Sequence, residues 1–352
     1  MGRMLADRPP GGHRTSYAAP TVTTEGADVR AVVFAGAGGN EVIRLEERPD
    51  PVPGSEELLV RVTHAGLNPA DLSQRDGSYP APPGSPQDIP GLEVSGTIEA
   101  CGAQVLDWKP GDRVFGLVGG GGLADRVVVH HHHVAAVPDA LDEAGAAAIP
   151  EAFITAHDAI RTQAALATGE TLLVHGAAGG VGSAALQIGG VCGARVLGTV
   201  RSADAAAVVR EFGGEPITDE GFADSVLAAT DGRGADVILE LVGAPHFPDN
   251  LRAVAMLGRI VVVGLGAGAE VTLVLRQLMA RRASMRGTML RARPLDQKAA
   301  AVRAFERELL PHLASGRLRP VVDTIIPYER ATDAFARMAA SGKRGKVLLQ
   351  FA

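Results

Sequence analysis

The stretch Leu172–Gly190, LLVHGAAGGVGSAALQIGG, constrains the fold more than any other part of the chain. A short apolar run, TLLVHG, stops at a glycine-rich turn, and a helical pattern of small and apolar residues follows. That order reads as strand, tight turn, helix. Gly179 and Gly182 fit the last two glycines of a dinucleotide-binding fingerprint, and Ala177 stands where its first glycine would be; Ala178, Gly180 and Val181 complete the turn. Small residues at these points let the backbone approach a pyrophosphate and let the helix pack close to the strand. The helix N-terminus adds N–H groups and a positive dipole for the phosphates.

Further strand-like runs, ARVLGTV, ADVILELVG and RIVVVGLG, alternate with helical segments at 181–192, 203–213, 222–230 and 248–257. Near-continuous apolar strands separated by helices imply a doubly wound parallel sheet covered on both faces. Residues 30 to about 150 read differently. Short strands such as RAVVFA, EELLVRVTHAG and DRVVVHH are broken by Pro/Gly turns, which implies a mostly β domain. The final run, GKVLLQF, cannot simply extend the parallel sheet and is expected to return to the first domain. The expected division is a disordered extension over residues 1–29, a β domain over 30–151 and 291–352, and a dinucleotide-binding domain over 152–290.

A net charge of −6 favours no nucleic-acid partner. No apolar run reaches the roughly 18 residues of a membrane span. The two cysteines, Cys101 and Cys192, make neither a disulfide scaffold nor zinc spacing, and place the chain in the reducing cytoplasm. Four consecutive histidines, His130–His133, suggest a metal site. In a strand, however, neighbours point to opposite faces, so no metal role is expected of them.

Taken together, AGLNPADLSQRDGSYPAPPG, IPGLEVSGTIEACG, KPGDRVFGL, IPEAFITAHDAI, VHGAAGGVG and GTMLRARPLDQK resemble the medium-chain dehydrogenase/reductase superfamily. Within it the similarity is to zinc-free quinone oxidoreductases, with EAFITA and MLRAR–LLPH most like the p53-inducible branch. The resemblance implies a GroES-like β domain beside a Rossmann-type domain. Zinc-dependent members carry Cys at the position of Asn68 and His at that of Leu92, so no metal is expected here. Without a Lewis acid, conjugated acceptors such as quinones or enones become the expected substrates.

The same resemblance implies roles for single residues. Asn68 and Tyr79 would line the nicotinamide pocket: Asn68 would bond the acceptor or the ribose, and Tyr79 would donate a proton or gate the pocket. Thr155 would face the nicotinamide. Where NAD-binding relatives hold an acid for the ribose, this chain has Val200 followed by Arg201 and Ser202, a pair suited to the 2′-phosphate of NADPH. Backbone contacts to the cofactor are expected at Val242, Gly243, Gly264 and Leu265, at the ends of two strands. Leu290 and Arg291 mark where the chain crosses back over it. The expected function is NADPH-dependent reduction of a quinone; the alternatives are a pathway-specific enoyl or enone reductase and a non-catalytic NADPH-binding protein. An edge strand including Ser284–Met289 is expected to pair with its symmetry mate in a homodimer.

Overall fold

A computed structural model describes residues 29–351. The expected N-terminal extension lies outside the described residues, except Val29, which opens the first strand.

Among the described residues fifteen strands occur in chain order: β1 (Val29–Phe34), β2 (Ile43–Arg48), β3 (Glu57–Leu67), β4 (Glu93–Cys101), β5 (Arg113–Leu117), β6 (Arg126–His130), β7 (Val134–Ala136), β8 (Thr171–Val174), β9 (Arg195–Val200), β10 (Glu215–Thr218), β11 (Ala235–Glu240), β12 (Val254–Val262), β13 (Ser284–Gly287), β14 (Val322–Pro327) and β15 (Lys346–Gln350). Six of them form one sheet in the order β10-β9-β8-β11-β12-β13, with every pair parallel. Side chains alternate between its two covered faces. Leu172, Val174, Val237 and Leu239 enter one apolar cluster, and Leu173, Leu197, Ile238 and Ile260 enter another. That is the period-two pattern of strands buried on both sides. The strand order reverses beside β8, and the crevice beyond the carboxyl ends at such a reversal is where ligands bind.

The other large sheet has the order β14-β15-β3-β4-β5-β7, with β6 also on β3. β15 runs antiparallel to β3, pairing Leu348 with Gly66, and parallel to β14. A single apolar cluster joins the two sheets: Phe115 and Leu117 of β5 share it with Ile149 and Phe153, with Leu172 and Val174, and with Phe305 and Leu309 of the helix Leu295–Ala314. The cleft between the sheets is therefore walled by packed elements.

The expected helix over 248–257 ends earlier, at Ala253. Val254 already belongs to β12 and pairs with Ala235 of β11. The hydrophobic run continues through both elements, so its period alone did not mark the boundary. The segment ASMRGTML yields only the four-residue β13, exposed along its whole length at the edge of the parallel sheet. Among the described residues no helix is long and apolar enough to cross a membrane.

Candidate functional site

The glycine-rich turn sits at the carboxyl end of β8 and opens the helix Gly180–Val191. A Cβ on Gly182 would stand 2.3 Å from the Gly176 carbonyl oxygen, so only glycine lets the helix approach the strand this closely. Gly179 takes the N-cap position and has no side chain with which to cap the first-turn amides. Those amides are left for an anion. Beyond β9, Arg201 is exposed and makes no hydrogen bond or ion pair among the described residues. Ser202 caps the helix Ala203–Glu211, its Oγ accepting the Ala205 N–H at 3.2 Å, which leaves its own proton free to donate. A second cation stands close by: Arg344 pairs with Asp204 of that helix at 3.0 Å.

The ends of β11 and β12 form a shelf beside the turn. The Ala267 N–H donates to the Val242 carbonyl at 2.8 Å, and the Ala244 N–H to that of Gly268 at 2.9 Å. The Gly264 N–H donates to the Glu240 carbonyl at 3.1 Å, and a Cβ on Gly243 would stand 3.0 Å from the Leu265 Cα, so Val242, Gly243, Gly264 and Leu265 lie together. The shelf is braced from below by Glu240, fully buried, whose Oε1 accepts the N–H groups of Val242 (2.7 Å) and Gly243 (2.9 Å). Its Oε2 accepts the Asn250 amide at 2.6 Å. His175 and His246 gather around the same carboxylate.

The β3 end of the cleft holds a network of buried charge. Lys346, the first residue of β15, donates to Asn68 Oδ1 at 2.5 Å and to Glu93 Oε1. Asn68 Nδ2 donates to Glu93 Oε1 at 2.9 Å and to the Gly66 carbonyl at 3.3 Å. These partners fix which way the amide points. Glu93 Oε2 accepts the Glu151 N–H at 2.8 Å. Room for Glu93 depends on Gly66, where a Cβ would come within 2.2 Å of Oε1. Asp71 is fully buried and accepts the N–H groups of Asn68 (2.8 Å) and Gly91 (2.9 Å). Burial pushes its carboxyl up to about 6 against those two bonds. The network reaches the phosphate turn directly. The Gly345 N–H donates to the Ala178 carbonyl at 3.1 Å, and the Lys346 side chain lies where a Cβ on Gly180 would fall, 2.7 Å from its Cδ.

Thr155 Oγ1 is buried without a hydrogen-bond partner among the described residues. Tyr79 is partly exposed, with the Arg291 guanidinium 5.2 Å from its ring centroid. Arg291 is itself buried: Nε donates to the Gly119 carbonyl at 2.9 Å, one terminal nitrogen to the Tyr79 carbonyl at 3.3 Å, and the other to Gln74 Oε1. Its guanidinium is committed to the wall that carries Tyr79. Leu290 is buried in the apolar cluster between the sheets.

Three residues of the cleft escaped the sequence reading: Glu93, Glu151 and Lys346. The available signal was a charged residue within or beside an otherwise apolar run, in GLEVSG, IPEAF and GKVLLQ. The histidine run also folds differently from the strand assumed for it. β6 ends at His130, and His131–His133 make a 3-10 turn. One ligand atom from each of His130, His131 and His132 then lies within 4.8 Å of the others. His130 Nδ1 accepts the His132 N–H, and the rings of His131 and His132 stack at 3.9 Å.

Residues 54–139 match the alcohol dehydrogenase GroES-like domain, and residues 180–307 match the zinc-binding dehydrogenase domain. The quinone oxidoreductase of Lama guanicoe is 33% identical over 327 residues, 91% of this chain and 97% of that protein. The quinone oxidoreductase structure from Pseudomonas syringae pv. Tomato DC3000 superposes with a TM-score of 0.83 at 29% identity, covering 92% of this chain and all of the other. The structure of CurK enoyl reductase gives a TM-score of 0.82 at 26% identity, over 93% of this chain and all of the other.

Replacing Lys346 by Met is expected to leave Glu93 as an uncompensated buried carboxylate and to cost about 3–5 kcal/mol. Denaturant unfolding measures this. The double variant Lys346→Met/Glu93→Gln should recover much of the loss, because the orphaned charge is then gone. Equal stability of the single variant and the wild type would remove the network from the account of the fold.

Proposed function

The chain belongs to the medium-chain dehydrogenase/reductase superfamily, among its quinone oxidoreductases, and on that premise we propose a zinc-independent, NADPH-dependent reductase of quinones and other conjugated acceptors. One observation carries the reading. At the two positions where zinc members hold Cys and His, this chain offers Asn68, whose amide is taken up by Lys346 and Glu93, and the isobutyl group of Leu92. Neither is a zinc ligand, so this donor set does not fit the ion that the domain name implies. A simple carbonyl needs the charge on its oxygen stabilised as hydride arrives, which the metal does in zinc members. A quinone or enone spreads the charge by conjugation and manages with hydrogen bonds.

The residues present do fit a dinucleotide. The uncapped helix at Gly180 and the small-residue turn Ala178–Gly182 would hold the pyrophosphate. The shelf at Val242, Gly243, Gly264 and Leu265 would hold ribose and carboxamide. Arg201, without a partner, and the Ser202 hydroxyl would take the 2′-phosphate. Bound there, the reduced nicotinamide supplies a hydride. Thr155 and Tyr79 would face it across the cleft, Asn68 would shape the pocket through its network, and Leu290 and Arg291 would set the wall. We assign residues 30–151 and 291–352 to the catalytic domain, residues 152–290 to the dinucleotide domain, and the protein to the cytoplasm. Most of the enzyme's contribution would be proximity and orientation.

Reduction of an activated alkene is the second reading, favoured by the likeness to CurK enoyl reductase. NADPH oxidation followed with 1,2-naphthoquinone and with 2-cyclohexenone separates the two. The quinone should be the faster acceptor, chelators should leave the rate unchanged, and elemental analysis should find no stoichiometric zinc. One tightly held zinc per chain would overturn the proposal.

Cofactor choice is tested at Arg201. A charge-assisted contact is worth about 1.5–3 kcal/mol. Arg201→Ala should therefore weaken NADPH binding about ten- to hundredfold while leaving NADH nearly unchanged. Equal weakening of both would count against the assignment.

The proposed homodimer uses β13. Its pairing with β12 leaves the other edge open, and Met285 and Met289 are 41% and 53% exposed. The helix Leu275–Arg281 adds Leu275 and Met279, 65% and 74% exposed, to the same end of the sheet. An open strand edge of this kind, flanked by exposed methionines, invites a partner strand. Light scattering at micromolar concentration should give twice the chain mass, and Met285→Pro, which removes a ladder donor, should shift the protein toward monomer.

A further inference from the structure

Reduction of a conjugated acceptor consumes a proton as well as a hydride, so the cleft needs an acid. Glu93 and Asp71 are unsuited to the task. Glu93 Oε1 accepts from Asn68 and Lys346 and Oε2 from the Glu151 N–H, while both Asp71 oxygens accept backbone amides. Glu151 differs. It is partly exposed, and its carboxyl makes no hydrogen bond among the described residues, although its own N–H is anchored on Glu93 at 2.8 Å. It stands immediately before Ala152, whose Cβ lies 3.9 Å from where a Cβ on Gly180 would fall, at the phosphate turn. Thr155 follows four residues later in the same helical segment, again with its hydroxyl unpartnered.

We propose that Glu151 is the proton donor of the reduction, an assignment that rests on the reductase reading above. In the step the acceptor gains a hydride, with its electron pair, from a reduced nicotinamide. As negative charge gathers on the acceptor oxygen, the Glu151 O–H bond breaks and an O–H bond forms on the acceptor. With an enone the proton reaches the oxygen or the α-carbon of the enolate. Glu151 is left as a carboxylate and recovers its proton from water after the product leaves. Two electrons and two hydrogens reach the acceptor, and the net reaction takes up one proton.

The surroundings suit that role. The charged and titratable groups that act electrostatically on Glu151 are Glu93 on β4, Asp71 on the helix Pro69–Arg75, Lys346 on β15 and Lys298 on the helix Leu295–Ala314, with Tyr79 and Arg291 beyond them. Burial, and after it the charge of Glu93, raise the carboxyl to about 7 against the two lysines. A group titrating there is protonated often enough to donate and acidic enough to do so quickly. Tyr79, raised above the ordinary phenol value chiefly by burial, is the poorer acid at neutral pH and is left to gate the pocket.

The test compares wild type, Glu151→Gln, Glu151→Asp and Tyr79→Phe, with NADPH and 1,2-naphthoquinone, from pH 5 to 9. NADPH binding is followed separately by fluorescence. In the wild type kcat should fall about tenfold per pH unit above a midpoint near 7. Glu151→Gln should bind NADPH within twofold of wild type, lose about 10²–10⁴ in kcat at pH 6, and show no alkaline limb. Glu151→Asp, which keeps the acid, should keep the limb at reduced kcat, and this arm decides the matter if the Gln variant fails to fold. Tyr79→Phe should keep the limb as well. A Glu151→Gln enzyme whose alkaline limb and kcat match the wild type would overturn the proposal. Failure of wild type to bind NADPH would instead overturn the reductase reading and this assignment with it.

Discussion

The ion pair between Lys346 and Glu93 is the contact on which the cleft depends. Both groups are buried, at 5% and 0% exposure, and a charge removed from water is tolerated only with its partners in place. Those partners come from separate parts of the chain. Glu93 lies at the head of β4, Asn68 at the end of β3, and Lys346 at the head of β15. The same Lys346 packs over Gly180, and its neighbour Gly345 bonds the Ala178 carbonyl. One interaction thereby sets the spacing between the β domain and the phosphate turn. The Lys346 side chain also brings a cation of protein origin to Asn68 at that end of the cleft.

Around that pair the acids fall into different electrical states. Glu93, neutralised by Lys346 and bonded through both oxygens, serves as a fixed counter-ion. Asp71, held by two backbone amides, closes the turn from Asn68 to Gly91. Glu151, with no such bonds and with Glu93 as its neighbour, is the one whose charged form is least supported. Environment rather than residue type separates a structural carboxylate from a reactive one. Arg291 makes a similar contrast with Arg201. The first has its donors consumed by Gly119, Tyr79 and Gln74, while the second is exposed and without a partner among the described residues.

Much of the architecture was legible in the sequence because it rests on local patterns. The strand–turn–helix at Leu172–Gly190 and the apolar strands after it state their period and their turns within a few residues. Asn68, Tyr79 and Thr155 came to notice through motif resemblance; the structure sets Asn68 in the Lys346–Glu93 network and Tyr79 beside Arg291. Their partners were not legible. Nothing near GKVLLQ says that its lysine meets an asparagine 278 residues earlier, because that encounter is set by which strands pair. The end of the helix at Ala253 was lost because hydrophobicity runs on into β12. The histidine run misled for the converse reason: a strand geometry was assumed three residues past the point where β6 stops, and the tight turn that replaces it folds neighbouring rings together.

The pairing of β15 with β3 also orders events during synthesis. β3 emerges from the ribosome far ahead of β15, and β4 and β6 can zip onto it early, but the edge that β15 will occupy stays open. Until residues 345–350 arrive, Glu93 has no cation and the phosphate turn has no strut beneath it. The nascent protein therefore carries a nearly finished parallel sheet beside an incomplete one, with an unsatisfied strand edge exposed to any chain that passes. Closure over so long a loop is slow, and strand edges left bare in the interval are where aggregation starts.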